Sequence, residues 1–237
     1  MTSFKNAAEM RHPHHGMIVK NVRRPSAADV EAIASTYTAF ALDRLGKLGA
    51  MVRELKPVKA GMKCCGPAVT SLGPDLSVRR MAINLAQPGD VLVVAAGGGT
   101  DYACFGDGTA NRMRLKGLAG AVIDGATRDA SGLIDLGFPT FVRGITPRNY
   151  HYPVSAEYGA VNVPVTCAGQ HVEPGDVIFG DDDGVIVIPF SMVAPLAERI
   201  RDERRDEIAQ RAAMTAFEPF DVADELTGRG YRMLDSI

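Results

Sequence analysis

The chain has 237 residues, 46% hydrophobic and 23% charged, a balance that suits one globular domain with a sizeable core and room for short appendages. Its formal net charge is -2 with Lys and Arg scattered along the chain, so it carries no electrostatic footprint for nucleic acid or an acidic membrane, and small molecules or proteins are the expected partners. No run approaches the ~18 consecutive apolar residues of a membrane span, the opening MTSFKNAAEMRHPHHG has no apolar signal core, and Cys64, Cys65, Cys104 and Cys167 form no CxxC pair, which points to the reducing cytoplasm.

In chain order, Ser26 is placed to cap a helix through AADVEAIAST, with Asp29 in its first turn complementing the dipole. FALDRLGKLGAM breaks at its glycines. PAVTSL reads as a strand, LSVRRMAINLA as a helix, and QPGD as a turn feeding the apolar strand VLVVAA, which Gly97, Gly98 and Gly99 end. GTANRMRLKG has helical spacing and leads into the strand AGAVID, a strand, helix, strand unit of the kind that makes a right-handed parallel crossover. A short helix around SGLIDLG and a strand FPTFVRG follow. GAVNVPVTCAG reads as one further strand, VEPGDVIFGDDDGVIVIP as two strands joined by an acidic turn, and the chain from Ser191 as a charged helix with a second short helix near ADELTGRG. Gln87-Pro88-Gly89-Asp90-Val91 recurs as Glu173-Pro174-Gly175-Asp176-Val177, a turn idiom that starts two strands.

Several clusters invite a functional reading and fail its requirements. GGGTDY lacks the third glycine of a dinucleotide fingerprint and no Gly-Lys-Ser/Thr follows, which leaves either a close backbone approach or a plain loop. Asp181, Asp182 and Asp183 lack the spaced oxygens and terminal glutamate of a calcium loop, so a solvated hairpin turn is expected. His12, His14 and His15 sit in a polar N-terminal segment with no carboxylate nearby in sequence, and Cys64 and Cys65 cannot both face one site from a strand, so surface histidines and buried thiols are expected.

Asp107, Arg128 and Asp129 remain. Asp107 opens a helix, Arg128-Asp129 ends a strand two elements later, and a parallel crossover brings the two together. The result is a pocket with two carboxylates, a guanidinium and backbone N–H groups from Gly108 and Thr109. Such a pocket could hold a hard divalent cation and grip a carboxylate. A structural Arg/Asp pair bridging loops fits the same residues.

The ordered set PGDVLVV, FGD, Arg128-Asp129 after twenty intervening residues, LGFPTFVRG, NVPVTCAG and PGDVIFGDDDGVIVIP resembles the RraA-like proteins, which include class II pyruvate aldolases acting on 4-hydroxy-4-methyl-2-oxoglutarate and 4-carboxy-4-hydroxy-2-oxoadipate. The resemblance covers most of residues 60 to 210. It implies an α/β fold of the swivelling β/β/α layered type, assembled as trimers or hexamers, with residues 1–25 an N-terminal extension, 26–190 the catalytic domain and 191–237 a C-terminal helical extension contacting a neighbouring subunit. It implies Mg2+ or Mn2+ held largely through waters by Asp129 with support from Asp107, Arg128 on the 2-oxo acid and its enolate, and Gly108 and Thr109 on the substrate carboxylate. Glu207 would reach a neighbour's site. The implied reaction is retro-aldol cleavage of a 4-hydroxy-2-oxo acid to pyruvate through a metal-bound enolate, with oxaloacetate decarboxylation beside it. An isomerase or hydratase would use the same enolate. Members that inhibit ribonuclease E lack the aspartate of the RD pair, which this chain keeps. Three departures concern substrate identity: Gly132 stands where the aldolases usually have an acidic residue, GPDLSVRR replaces an Asp-Asn-Trp stretch, and NYHYPVSAEYG lacks their lysine.

Overall fold

Ser26 opens the first helix as its position predicts: its hydroxyl accepts the Asp29 amide at 3.1 Å, and α1 runs Ala27–Ala34. The structure, a computed structural model, describes residues 13–149, 159–217 and 219–234. After α1 come α2 (Thr38–Arg44), β1 (Lys56–Pro57), β2 (Cys64–Leu72), α3 (Leu76–Leu85), β3 (Val91–Ala95), β4 (Ala103–Phe105), α4 (Asp107–Lys116), β5 (Gly120–Thr127), α5 (Ala130–Leu136) and β6 (Thr140–Ile145). Then follow β7 (Ala160–Val161), β8 (Val165–Cys167), β9 (Gln170–Val172), β10 (Val177–Asp181), β11 (Gly184–Ile188), α6 (Phe190–Ala213) and α7 (Ala223–Gly228).

The main sheet has the order β1-β6-β5-β3-β2-β10-β11. β2, β3, β5 and β6 pair in parallel, as the crossover pattern predicts, while β10 and β11 join antiparallel beyond β2. The stretch from Gly49 to Pro57 joins the outer strands: Met51 donates to the Val185 carbonyl at 2.9 Å and Val187 to Gly49 at 2.9 Å, and β1 then pairs with β6. One short segment therefore nearly closes the sheet on itself, and little strand edge is left to template aggregation.

Both faces of this sheet are covered, which is why β3 and β5 read as near-continuous buried runs. Val91, Val93, Val122 and Phe141 face the interior of the closed sheet with Leu55, Ile178 and Val187. Leu92, Val94 and Ile123 point the other way, against Ile83 of α3, Met113 of α4 and Leu133 of α5. A third core packs Ile33 of α1, Phe40 of α2 and Leu196 and Ile200 of α6 on Phe179 and Ile188.

The two Pro-Gly-Asp turns have one geometry. Asp90 accepts the Gln87 amide at 2.7 Å, and Asp176 accepts the Glu173 amide at 2.9 Å, each closing its turn three residues back. The neighbouring Arg23 and Arg24 clip one turn each: Arg24 forks onto both oxygens of Asp90 at 2.9 and 2.7 Å, and Arg23 reaches Glu173 at 2.9 Å.

The fold differs from the sequence reading in its short strands. GAVNVPVTCAG is not one strand: Asn162 (φ 54°) and Ala168 (φ 47°) take left-handed backbone and break it into β7 and β8, the latter in a separate hairpin with β9. β1 and β4, two and three residues long, carry too little periodicity to be read. The chain forms two compact units, one ending at Arg201 and one beginning at Asp202. Among the described residues no helix is long and apolar enough to cross a membrane.

Candidate active site

The site is built where β4 pairs with the end of β5. Phe105 lies opposite Thr127, the Arg128 amide donates to the Phe105 carbonyl at 3.0 Å, and the Thr127 hydroxyl donates to that carbonyl at 3.1 Å. This pins the Phe105-Gly106-Asp107 stretch, which starts α4, beside Arg128-Asp129, which starts α5. The crossover argument thus holds: Asp107, Gly108, Thr109, Arg128 and Asp129 line one cleft of about 220 Å3.

Two glycines make room for the carboxylates. A Cβ on Gly106 would lie 2.7 Å from Asp129 Oδ2 and 3.3 Å from Arg128 Cγ. A Cβ on Gly132 would lie 2.5 Å from Asp107 Oδ2, 2.9 Å from its Cβ and 3.0 Å from its Cγ. Gly132, which departs from the aldolase pattern, therefore occupies the one place where Asp107 leans against α5. An acidic side chain cannot stand there while Asp107 keeps its position.

Asp129 precedes α5 with φ 59° and ψ 40°, left-handed backbone that an aspartate tolerates better than most residues. An aspartate at a helix start normally caps the first amides from extended backbone. Here its side chain makes no cap bond. It lies instead 3.3 Å from Arg128 Nε, with the two side chains 41% and 44% exposed. So exposed a pair of sequence neighbours bridges no loops and adds little to stability, which removes the structural reading of Arg128-Asp129.

At the start of α4, Thr109 donates its amide to the Gly106 carbonyl at 3.1 Å. Of the two amides expected on a ligand carboxylate, that of Thr109 is thereby engaged within its own turn. Arg112 folds back over the same turn, donating to the Gly108 carbonyl at 2.9 Å. With Arg79, Arg80, Arg112 and Arg128 against Asp107 and Asp129, the cleft holds two more cations than anions and suits an anionic ligand. Two carboxylates beside open solvent also suit a hard cation that keeps most of its waters. Among the described residues no group of three or more His, Cys, Asp or Glu is placed to enclose a metal.

Arg79, Arg80 and Arg112 are cleft cations that the sequence reading missed, and Arg79 is the buried one. A signal was present: Arg79, Ala82 and Ile83 are the buried positions of α3, so an arginine occupies the first place of an i, i+3, i+4 apolar stripe.

The other clusters are structural. Gly98 donates to the Asp124 carbonyl at 2.9 Å, and a Cβ there would meet Arg143 Cζ at 3.2 Å, so this one glycine of the three makes room for the Arg143–Asp124 ion pair. Asp181 caps α2 through the Thr38 amide at 2.8 Å and hydroxyl at 2.7 Å, and Asp182 accepts the Gly61 amide at 2.7 Å. Burial pushes the thiols of Cys64, Cys104 and Cys167 up, and that of Cys65 to about 12. His14 and His15 belong to no metal-capable group among the described residues, and His12 and the NYHYPVSAEYG segment from residue 150 to 158 lie outside them. Glu207 is exposed, on the part of α6 that belongs to the second unit.

A mixed α/β chain with a nearly closed sheet and a cationic cleft at the helix starts defines a class. The comparisons name it: the RraA-like family profile, described as Aldolase/RraA, matches residues 33–187, and the chain belongs to that family. It is 35% identical over 186 residues to a Halalkalibacterium halodurans protein named "Putative 4-hydroxy-4-methyl-2-oxoglutarate aldolase", covering 77% of this chain and 85% of the relative. A Halorhodospira halophila protein of the same name is 34% identical over 148 residues, 59% of this chain and 86% of its own. Among solved structures, Streptomyces coelicolor RraAS2, described as an unusual member of the RNase ES inhibitor RraA protein family, matches with a TM-score of 0.68 at 32% identity, covering 80% of this chain and 99% of that one.

Proposed function

We propose that the protein is a divalent-metal-dependent carbon–carbon lyase that cleaves a 4-hydroxy-2-oxo acid to pyruvate, with oxaloacetate decarboxylation as a companion activity. The observation that carries this reading is the joint projection of Arg128 and Asp129 into a cleft shared with Asp107 and the start of α4. The names of the aldolase relatives support it.

In this reading the amides of Asp107 and Gly108, at the positive end of α4, receive the C1 carboxylate of the 2-oxo acid. Arg128 stands by the C2 oxygen, where negative charge develops as the C3–C4 bond breaks, and its planar fork stabilises the enolate. Asp129 and Asp107 would hold Mg2+ or Mn2+ through waters, and such an ion supplies Lewis-acid polarisation of the 2-oxo group. The C4 hydroxyl must lose its proton as its carbon becomes a carbonyl, and in this reading Asp107, which lines the cleft, would receive it. Protonation of the enolate at C3 completes pyruvate. Oxaloacetate loses carbon dioxide through the same enolate without that base. Assembly as a trimer or hexamer, with Glu207 entering a neighbour's cleft, belongs to this proposal.

A second reading, a protein-binding regulator of a ribonuclease, is favoured by the likeness to RraAS2. The retained Arg128-Asp129 pair weighs against it. One experiment separates them: pyruvate release, coupled to lactate dehydrogenase, from a panel of 4-hydroxy-2-oxo acids and oxaloacetate with Mg2+ and then with chelator. Chelator-sensitive release is expected. Silence across the panel, together with inhibition of a ribonuclease E-type enzyme, would give the second reading the field.

A further inference from the structure

Arg79 is the most deeply buried arginine of the cleft, 1% exposed, on the first turns of α3. Its Nη1 donates to the Pro74 carbonyl at 3.1 Å, and its Nε, fully buried, has no partner. The other arginines with largely covered side chains are treated differently by the fold. Arg24, 21% exposed, has both oxygens of Asp90, and Arg143, 23% exposed, has Asp124. Arg79 is more buried than either and has no carboxylate among the described residues. A buried guanidinium with one neutral hydrogen bond is costly, and arginine cannot shed its charge to escape the cost.

The nearby protein groups do not resolve this. Cys104 lines the same cleft, but burial raises its thiol pKa, so it is neutral and no counter-ion. Asp107 and Asp129 also line it, each already set against α5 or Arg128. Among the described residues of one subunit nothing else supplies the missing counter-charge, and an anionic ligand can. Arg79 and Arg128 are both lining residues of a single cleft, so an anion on Arg79 would be bound together with whatever Arg128 holds.

We propose that Arg79 is a specificity-determining residue that receives a second carboxylate of the substrate, at the end remote from the 2-oxo group, so that the site selects 2-oxo diacids over 2-oxo monoacids. This rests on the lyase reading for the role of Arg128, but Arg79 can be tested without turnover. Its guanidinium is preorganised by the Pro74 contact and already desolvated, so a carboxylate there gains a charge-assisted fork at small ordering cost.

The experiment compares wild type, Arg79→Met and Arg79→Lys by calorimetric binding and thermal melting with pyruvate, 2-oxoglutarate, glutarate and inorganic phosphate, none of which can undergo retro-aldol cleavage. Wild type should bind 2-oxoglutarate at least roughly tenfold more tightly than pyruvate. Arg79→Met should erase that preference with pyruvate affinity unchanged, and Arg79→Lys should restore part of it. Without ligand, Arg79→Met should melt no lower than wild type, because it removes an unpaired buried charge and keeps the apolar stem. A 2-oxoglutarate preference that survives in Arg79→Met, or no binding of either diacid by wild type, overturns the proposal. So does an Arg79→Met protein that melts well below wild type, which would make Arg79 a structural residue, or an Arg79-dependent response to phosphate alone. If wild type releases no pyruvate from any substrate yet binds glutarate through Arg79, the lyase reading falls and the second anion site stands.

Discussion

Replacing Gly132 with alanine adds one methyl group to α5, and the structure says where it goes. The new Cβ would stand 2.5 Å from Oδ2, 2.9 Å from Cβ and 3.0 Å from Cγ of Asp107, whereas carbon atoms meet comfortably at roughly 3.5–4.0 Å. Rotation about the Asp107 side chain clears the carboxyl oxygen but leaves its Cβ crowded, so the start of α4 must shift by about half an ångström or more. Stability should fall by about 1 kcal/mol: the helix gains roughly 0.5–1 kcal/mol from losing a glycine, against roughly 1–3 kcal/mol for overpacking. Activity should fall far more, because a displacement approaching 1 Å of a catalytic group costs on the order of 100-fold. The assay is metal-dependent pyruvate release beside a thermal melt, and the expected pattern is a kcat lowered about 100-fold with a Tm lowered by only about 2–4 °C. Near-normal kcat in a well-folded Gly132→Ala protein would refute the placement of Asp107 in the chemistry.

Asp129→Ala should abolish metal-dependent turnover with a Tm close to wild type, since a half-exposed carboxylate contributes little to the fold; retained activity would remove it from the site. Arg128→Lys should lower kcat/KM on the order of 100-fold or more, because a point charge cannot reproduce a planar fork, and near-normal kinetics would move the substrate elsewhere. Arg24→Met leaves Asp90, whose side chain is 1% exposed, without its counter-charge and should cost about 3 kcal/mol, a drop of roughly 6–12 °C in Tm. A native protein at pH 8 should resist iodoacetamide at all four cysteines until denatured: a thiol at about 12 is roughly one part in ten thousand thiolate there, and the others are buried. Because folding raises these thiol pKa values, their contribution to stability is complete below about pH 8.5 and declines as pH rises beyond it, so the Tm should fall on the alkaline side.

Much of this arrangement is legible in residue order because local chemistry and global fold agree. The buried runs VLVVA and GAVIDGAT are the central parallel strands, the two Pro-Gly-Asp turns start β3 and β10, and Ser26 caps α1. Even the meeting of Asp107 with Arg128-Asp129 follows from topology alone, since a parallel crossover returns the chain to the same sheet end. What escapes is decided by contacts between distant segments. Three-residue β4 is a strand only because β5 lies beside it, and Asn162 breaks its apolar run because its amide group donates to the Val19 carbonyl at 2.8 Å, 143 residues away.

Arg79 and Gly132 escape for a related reason, and they concern function directly. In a sequence, a glycine in a short helix reads as a weak helix former, and an arginine on an amphipathic helix reads as a solvated face. Here each meaning is inverted by what stands opposite: Gly132 is small because Asp107 needs its space, and Arg79 is charged inside an apolar stripe where no carboxylate among the described residues answers it. Both lie at positions where the chain departs from the aldolase pattern, Gly132 in place of an acidic residue and Arg79 within GPDLSVRR. The departures therefore need not mark a decayed site. Gly132 leaves room for Asp107, and Arg79 adds a cation to a cleft that already has an excess of them, so both residues fit a working site for an anionic ligand.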